Sequence, residues 1–339
     1  MRSSVGTRRR PTDDDDFKKE LRGKGTRTIV KVVLLAFSVL IVLEVSAAAL
    51  NRLEIMGSLG GYEEAGSVGF NGGRKRAALY DRMGADLDTK GAAFLDGGET
   101  SQSLNLADLF TVEDGIVIPV QKPANPPVRA TVLHLNGHYA LQISEAAKKI
   151  LNPHFAGAIW YQDVSFYHFS LFHASHHLEA VPATEKEMQA EEEAVKQVAA
   201  RSCPLEIVLD RVLLTPTGVL LGCWQVLNGT DPAIIRKELR HALVHAPNKQ
   251  LYDPVILHTS IARILGPPKS SPSHGGSSTK GEALFFMKSL IRQINEKLSG
   301  FQAKIEDLWY VEELDLLALA LKGRLVVHKY PLGCPSSGD

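Results

Sequence analysis

Tyr167-His168-Phe169-Ser170-Leu171 and Leu257-His258-Thr259-Ser260-Ile261 are two copies of one pattern. Each reads His-x-Ser followed by an apolar residue, inside a run of aromatic and β-branched residues that has the composition of a strand. Side chains alternate faces along a strand. His168 and Ser170 therefore share one face, and Phe169 and Leu171 point into the opposite layer. His258 and Ser260 are related in the same way, with Thr259 and Ile261 behind them. Each strand offers one imidazole and one hydroxyl to a common surface. With twelve histidines in the chain, His-x-Ser will also occur by chance. A lone strand histidine is more often structural than catalytic. The repetition, each copy on a strand and each followed by an apolar residue, lifts this pair above that background.

Two such lobes facing each other bring two imidazoles and two hydroxyls together, a set that suits phosphodiester hydrolysis. Histidine titrates near neutrality, so one ring can take a proton from the attacking water while the other donates one to the leaving oxygen. The hydroxyls can hold non-bridging phosphate oxygens. No metal and no cofactor is required by that chemistry.

Outward from the motifs, strands and helices alternate. Ala130-Thr131-Val132-Leu133-His134-Leu135 reads as a strand, Ser144 to Leu151 as a helix, and Ala158 to Tyr161 and Ser165 to Phe172 as strands. Thr184-Glu185-Lys186-Glu187 is a capping box that opens a helix running to about Arg201. Leu205 to Leu214 and Gly218 to Leu227, joined by Thr215-Pro216-Thr217, read as a hairpin. Asp231-Pro232 supplies an N-cap and a first-turn proline for a helix burying Ile235, Leu239 and Leu243. Val255 to Ile264 is a strand, and Pro267 to Lys280, rich in Pro, Ser and Gly, reads as a disordered insertion. Leu284, Met287, Ile291, Ile294 and Leu298 define an amphipathic helix that Gly300 would end. The last strands lie in 301–332. The fold class expected is α+β with largely antiparallel sheets flanked by helices. No Gly-rich phosphate loop follows any strand, which excludes a Rossmann site or a P-loop.

The N-terminal part is organised differently. Residues 1–31 are a charged tail, with Arg8-Arg9-Arg10 followed by the acidic run Asp13 to Asp16. Val32 to Leu50 is apolar apart from Glu44, Ser38 and Ser46, and is long enough to span a bilayer. It reads first as a single N-terminal hydrophobic helix acting as a transmembrane signal anchor. A cleaved signal peptide, cut near Ala47 or Ala49, and a buried soluble helix are the alternatives. The basic flank before Val32 would keep the tail cytosolic and place the C-terminal part in the lumen of the secretory pathway, ER or Golgi. Residues 51–127 read as a glycine-rich stem with a possible helix at 76–95, closed by a linker at Pro123, Pro126 and Pro127. The main domain is expected at 128–332, with a short tail at 333–339.

Lys plus Arg and Asp plus Glu balance at 38 each, a net charge of zero. An extended nucleic-acid groove usually shows a basic excess, so neutrality fits a pocket for a nucleotide or an RNA end instead. Three cysteines, Cys203, Cys223 and Cys334, include no C-x-x-C pair and exclude a fully paired framework. A Cys203–Cys223 bridge stays open for an oxidising compartment, although free buried cysteine is the commoner state.

With the paired motifs, the hairpin between them and Ala262-Arg263 after the second copy, residues 128–332 resemble the two-histidine (2H) phosphoesterase superfamily, which includes RNA-ligase-like 2′,3′-cyclic phosphodiesterases. The chain also resembles plant proteins described as RNA ligase/cyclic nucleotide phosphodiesterase-like, which carry an N-terminal hydrophobic segment. The resemblance implies a pseudo-symmetric two-lobed fold, catalytic His168 and His258, phosphate-binding Ser170 and Ser260, and a cyclic phosphate substrate. Thr259 departs from the family's usual apolar residue. A non-catalytic nucleotide-binding module and a membrane-tethered interaction module are the competing functions.

His173, His176 and His177 are spaced for one helical face; a metal site is conceivable there, and a cleft-edge or surface role is preferred. Tyr161, Tyr167 and Phe172 could stack a base, but strand aromatics are usually core. Asn228-Gly229-Thr230 is a glycosylation sequon that matters only in the lumen.

Overall fold

Two antiparallel sheets carry the two motifs. A computed structural model of the chain describes residues 66–98, 100, 104–269 and 280–334. In chain order the elements are α1 (Gly66–Lys90), β1 (Phe110–Glu113), β2 (Ile116–Pro119), β3 (Pro123–His134), α2 (Gly137–Leu151), β4 (Ile159–Tyr161), β5 (His168–Ser175) and α3 (Glu185–Ala200). They continue with β6 (Leu205–Leu214), β7 (Val219–Asn228), α4 (Pro232–Ala242), β8 (His258–Ile264) and α5 (Lys280–Leu298). The last are β9 (Gln302–Ile305), β10 (Asp307–Asp315), α6 (Ala318–Leu321) and β11 (Leu325–Pro331). The first sheet has the order β11-β10-β3-β5 and the second β4-β8-β7-β6-β9; β1 and β2 form a separate hairpin. Every neighbouring pair in both sheets is antiparallel, in keeping with the mixed α and β class that the alternating pattern predicts.

The helices start where their caps dictate. Thr184 and Glu187 form the full capping box of α3. Asp231 Oδ1 accepts from the Ala233 N–H at 2.9 Å, with Pro232 in the first turn of α4. Asn136 Oδ1 accepts from the His138 N–H at 3.1 Å, so α2 begins seven residues before the expected Ser144. Helices α2, α3, α4 and α5 pack on the core side of the sheets, whereas Met83, Asp86 and Lys90 of α1 line the cleft. The main core joins Leu133, Phe169 and Leu171 of the first sheet to Ile207, Trp224 and Ile261 of the second, and adds Ile143 of α2, Val198 of α3 and Met287 and Ile294 of α5. The second motif strand begins at His258 instead of Val255, because Asp253 Oδ1 accepts from the Val255 N–H and turns the chain there. Likewise, Asp163 caps a short 3₁₀ turn over Val164–Phe166, so β5 begins at His168.

The expected stem is where structure and sequence reading part. From Gly66 onward the chain belongs to one compact unit with the main domain. Tyr80 is fully buried, and Arg76 and Leu87 nearly so. Arg76 Nη2 lies 2.8 Å from Asp231 Oδ2, and its Nε donates to the Val255 carbonyl at 2.8 Å. Glycine lowers helix propensity by about 1 kcal/mol per residue, which made this segment look flexible. Here tertiary contact outweighs that cost: a Cβ on Gly72 would crowd Asp231 Oδ2 at 3.0 Å, so the glycine eases the close approach of α1. The prolines expected as a linker instead form the first half of β3. They are tolerated because β5 pairs β3 only from Arg129 onward, so their missing N–H groups cost few ladder bonds.

The cysteine pairing also differs. Cys203 is joined to Cys334, and Cys223 is free and buried. Cys223 sits on β7 opposite His258, whereas Gly333 is held against Ala199 at the end of α3 by a 3.0 Å backbone bond. That contact brings the expected C-terminal tail beside Cys203. The charged tail, the 32–50 segment, 51–65, most of the 267–280 insertion and residues 335–339 lie outside the described residues. Among the described residues no helix is long and apolar enough to cross a membrane.

Candidate active site

His168, Ser170, His258 and Ser260 all line one cavity of about 390 Å³. The alternation expected of each motif holds: Phe169, Leu171, Thr259 and Ile261 are buried, and Ser170 and Ser260 are half-buried on the opposite side. Thr259 Oγ1 is buried with no hydrogen-bond partner among the described residues.

After the serine, both strands break step. On β5, Ser170 faces Val132 and Phe172 faces Thr131, which leaves Leu171 as an extra residue. On β8, Ser260 faces Leu221 and Ala262 faces Leu220, which leaves Ile261 extra. A bulge of this kind re-aims the residues beyond it. Strict alternation would turn His173 and Arg263 away from the motif histidines; the bulges return both to the cavity wall. The two residues are equivalent, each five positions after its motif histidine. That shared offset to a basic residue was the sequence signal for His173; the bulge that gives it meaning is tertiary.

The two motif histidines are seated unequally. His168 Nδ1 lies 2.7 Å from the Phe166 carbonyl oxygen. A carbonyl can only accept, so Nδ1 carries the proton and Nε2 is the ring's other, available nitrogen. His258 Nδ1 is buried with no partner among the described residues, and its ring lies 5.0 Å from that of Tyr252. Burial pushes the His168 pKa down, and the Phe166 carbonyl partly offsets this. Burial, then the charges of Arg236 and His168, push His258 down to about 3. Burial, then His176 and His177, hold His173 at about 3. The three rings are therefore neutral at pH 7.

Arg236 on α4 ties the two motif strands together. Its Nη2 donates to the Ser170 carbonyl at 2.9 Å, its Nε to Leu171 at 3.0 Å, and its Nη1 to Pro254 at 2.8 Å, four residues before His258. Burial lowers its pKa to about 10, so it remains a cation behind the site. Tyr80 of α1 performs a similar task from the other side. Its buried hydroxyl lies 2.7 Å from the Leu257 oxygen and 2.9 Å from the Trp224 oxygen, and it accepts from the Leu257 N–H at 3.1 Å. The peptide preceding His258 is fixed by a segment that the sequence reading assigned to the stem.

The other singled-out residues fall as follows. His173 and His176 are buried and line the cavity, with His173 on a strand instead of the expected helical face. His176 Nδ1 accepts from the Glu179 N–H at 3.1 Å, and its Nε2 lies 3.0 Å from the Lys249 carbonyl. Both ring nitrogens are thus occupied, which removes His176 as a metal ligand. Among the described residues no group of three His, Cys, Asp or Glu side chains is placed to hold a metal ion. Tyr167 and Phe172 are core, and Tyr161 is half-buried with its hydroxyl on Asn152. Asn228 is exposed at the end of β7.

No family model matches the chain, and no curated protein matches it. Several solved structures do. TT0787 of Thermus thermophilus is 15% identical with a TM-score of 0.41, covering 61% of this chain and 98% of that one. E. coli LigT complexed with ATP is 12% identical with a TM-score of 0.36, covering 61% and 99%. A structure described as a phosphoesterase is 12% identical with a TM-score of 0.38, covering 61% and 99%. At these identities and scores the chemistry of the cleft rests on its own geometry.

Proposed function

We propose that this chain is a metal-independent phosphodiesterase that hydrolyses a cyclic phosphate, a 2′,3′-cyclic nucleotide or an RNA end. The observation that carries the reading is the convergence of His168, Ser170, His258 and Ser260 on one cavity, with Arg263 beside them. His258 is the base: its unpartnered Nδ1 and the nearby Arg236 disfavour the imidazolium, so it meets the substrate neutral. His168 is the acid, because the Phe166 carbonyl stabilises its protonated ring. The bound phosphate's negative charge raises the pKa of both rings and supplies the protonated state that the acid needs.

His258 then takes a proton from water, the water oxygen bonds to phosphorus, one ribose oxygen leaves, and His168 gives it a proton. Ser170 and Ser260 hold the non-bridging oxygens as charge builds. Both proton transfers are assigned to side chains, so no metal-bound water is called for.

The test is cleavage of 2′,3′-cyclic nucleotides with and without EDTA. His168→Ala and His258→Ala should each lower kcat by about 10²–10⁴-fold, and the double variant should be little worse than the worse single one. Ser170→Ala or Ser260→Ala should cost up to about 10²–10³-fold. Activity abolished by EDTA and restored by zinc or manganese would overturn the metal-free mechanism. Full activity in His258→Ala would remove the pair altogether, and tight nucleotide binding without turnover would favour the binding-module alternative.

The 32–50 segment supports an anchor that places this domain in the lumen of the secretory pathway, and a Cys203–Cys334 bridge suits such an oxidising compartment. Protease protection in sealed microsomes tests it; digestion of the domain without detergent would contradict it.

A further inference from the structure

Glu313 is a carboxylate in a cleft that the proposed function fills with phosphate. It stands on β10, 7% exposed, and lines the same cavity as the histidines. Its Oε1 accepts from the Leu319 N–H at 2.7 Å. Oε2 has no hydrogen-bond partner among the described residues and is not sealed from the cavity. The two cations of the adjoining turn are engaged elsewhere: Arg324 lies 2.7 Å from Asp315, and Lys322 lies 2.9 Å from Asp163. Burial with no cation beside it raises its pKa to about 7, so above neutral pH it is an anion that repels a phosphate and must serve another part of the ligand.

Its surroundings indicate which part. Val128, Ala130, Leu317 and Leu319 wall this end of the cavity. His173 stands opposite Ala130 at its edge, and an apolar slot with a few convergent polar groups suits a flat heterocycle. Along β3, Ser170 faces Val132 and Glu313 faces Val128. The two partners are four residues apart, about 14 Å at ~3.4 Å per residue. A nucleotide with its phosphate at the serines spans most of that distance, and the glutamate side chain covers the rest.

We propose that Glu313 reads the nucleobase, with Oε2 accepting a hydrogen bond from an exocyclic amino group, so that the cleft prefers cytosine over uracil. The inference rests on the cleft taking a nucleotide, as above, but not on its being hydrolysed. Cytosine offers an N4 amino donor where uracil offers an O4 acceptor, as the corresponding oxygen of thymine does. A hydrogen bond to a charged group contributes about 1.5–3 kcal/mol, which corresponds to about 10-fold or more in affinity.

Glu313→Gln makes the sharper case. The Leu319 N–H requires an acceptor, so the amide oxygen must take the place of Oε1. The amide nitrogen then faces the cavity as a donor, where Oε2 had been an acceptor. The preference should reverse.

The experiment is calorimetric binding of 2′-CMP and 2′-UMP to the full chain and to Glu313→Gln at about pH 8.5, above the Glu313 pKa of about 7, where the wild-type carboxyl is ionised. Wild type should bind the cytidine nucleotide about 10-fold more tightly, and the ratio should fall to one or below in the variant. Equal affinities in wild type, an unchanged ratio in the variant, or no binding of either nucleotide would overturn the proposal. If the variant does not fold, the 2′-phosphate of N4,N4-dimethylcytidine replaces it. That ligand has no N–H and should bind wild type as weakly as 2′-UMP; binding as tight as 2′-CMP would overturn the proposal. Cleavage assays run alongside keep the two readings apart. Cleavage without base discrimination leaves the hydrolase standing and removes Glu313 from recognition. Discrimination without cleavage does the reverse.

Discussion

Replacing Arg76 by alanine tests whether the supposed stem is part of the domain that holds the cleft. Arg76 is 1% exposed, and its guanidinium reaches Asp231 Oδ2, the Val255 carbonyl and Gln225. Asp231 is itself buried and uses Oδ1 to cap α4, so it cannot turn to solvent without uncapping that helix. Truncation leaves a buried carboxylate without its cation, a loss of about 3–5 kcal/mol. At about 2–4 °C per kcal/mol for a domain of this size, Tm should fall by roughly 6–20 °C. The assay is thermal unfolding followed by circular dichroism, with Asp231→Asn and the double variant completing a cycle. Removing both charges relieves the stranded one, so the double variant should be less destabilised than the sum of the singles. A Tm change below about 2 °C for Arg76→Ala, or strictly additive singles, would show that α1 does not pack on α4 as described.

Three further outcomes are expected. Tyr80→Phe leaves the Leu257 N–H without its buried acceptor and should cost about 1–3 kcal/mol in a urea melt; it should lower kcat more than it raises KM, and an unchanged kcat would show that the hydroxyl does not position His258. His173 and His258 have pKa values near 3 when folded against 6.5 for an ordinary histidine, so between those values the unfolded chain binds more protons. Stability should be full above about pH 6.5 and fall as pH drops towards 3; a His173→Gln variant should show a shallower fall in urea midpoints, and stability that rises on acidification would sink the assignment. Cys334→Ser removes a bridge spanning 131 residues and should lower stability by about 2–5 kcal/mol; no difference between wild type and variant under non-reducing conditions would mean that the bridge is not formed.

Much of the candidate site's geometry was legible in the sequence because a strand has a period of two. His168 with Ser170 and His258 with Ser260 could be put on common faces from spacing alone. Thr184, Glu187, Asp231 and Pro232 marked helix starts because a cap is local chemistry: the side chain bonds a backbone N–H two or three residues away. The periodic apolar residues Met287, Ile291 and Ile294 placed α5 for a similarly local reason.

The remainder depended on contacts between residues distant in the chain. Nothing near Gly72 or Arg76 says that Asp231 will stand beside them, so a glycine-rich helix read as a flexible stem. Pro123, Pro126 and Pro127 looked like a linker until β3 proved to lack β5 as a neighbour at that end. The bulges at Leu171 and Ile261 arise from pairing register, a property of two strands together, and they alone turn His173 and Arg263 into the cleft. Cys334 could be matched with Cys203 only once Gly333 was seen against the end of α3. Glu313, ordinary in sequence, becomes a candidate reader of the base because the fold buries its carboxyl with one peptide N–H and no cation. Local periodicity and capping thus fixed the elements and one face of each motif strand, whereas register, burial and long-range pairing decided which other side chains share that face.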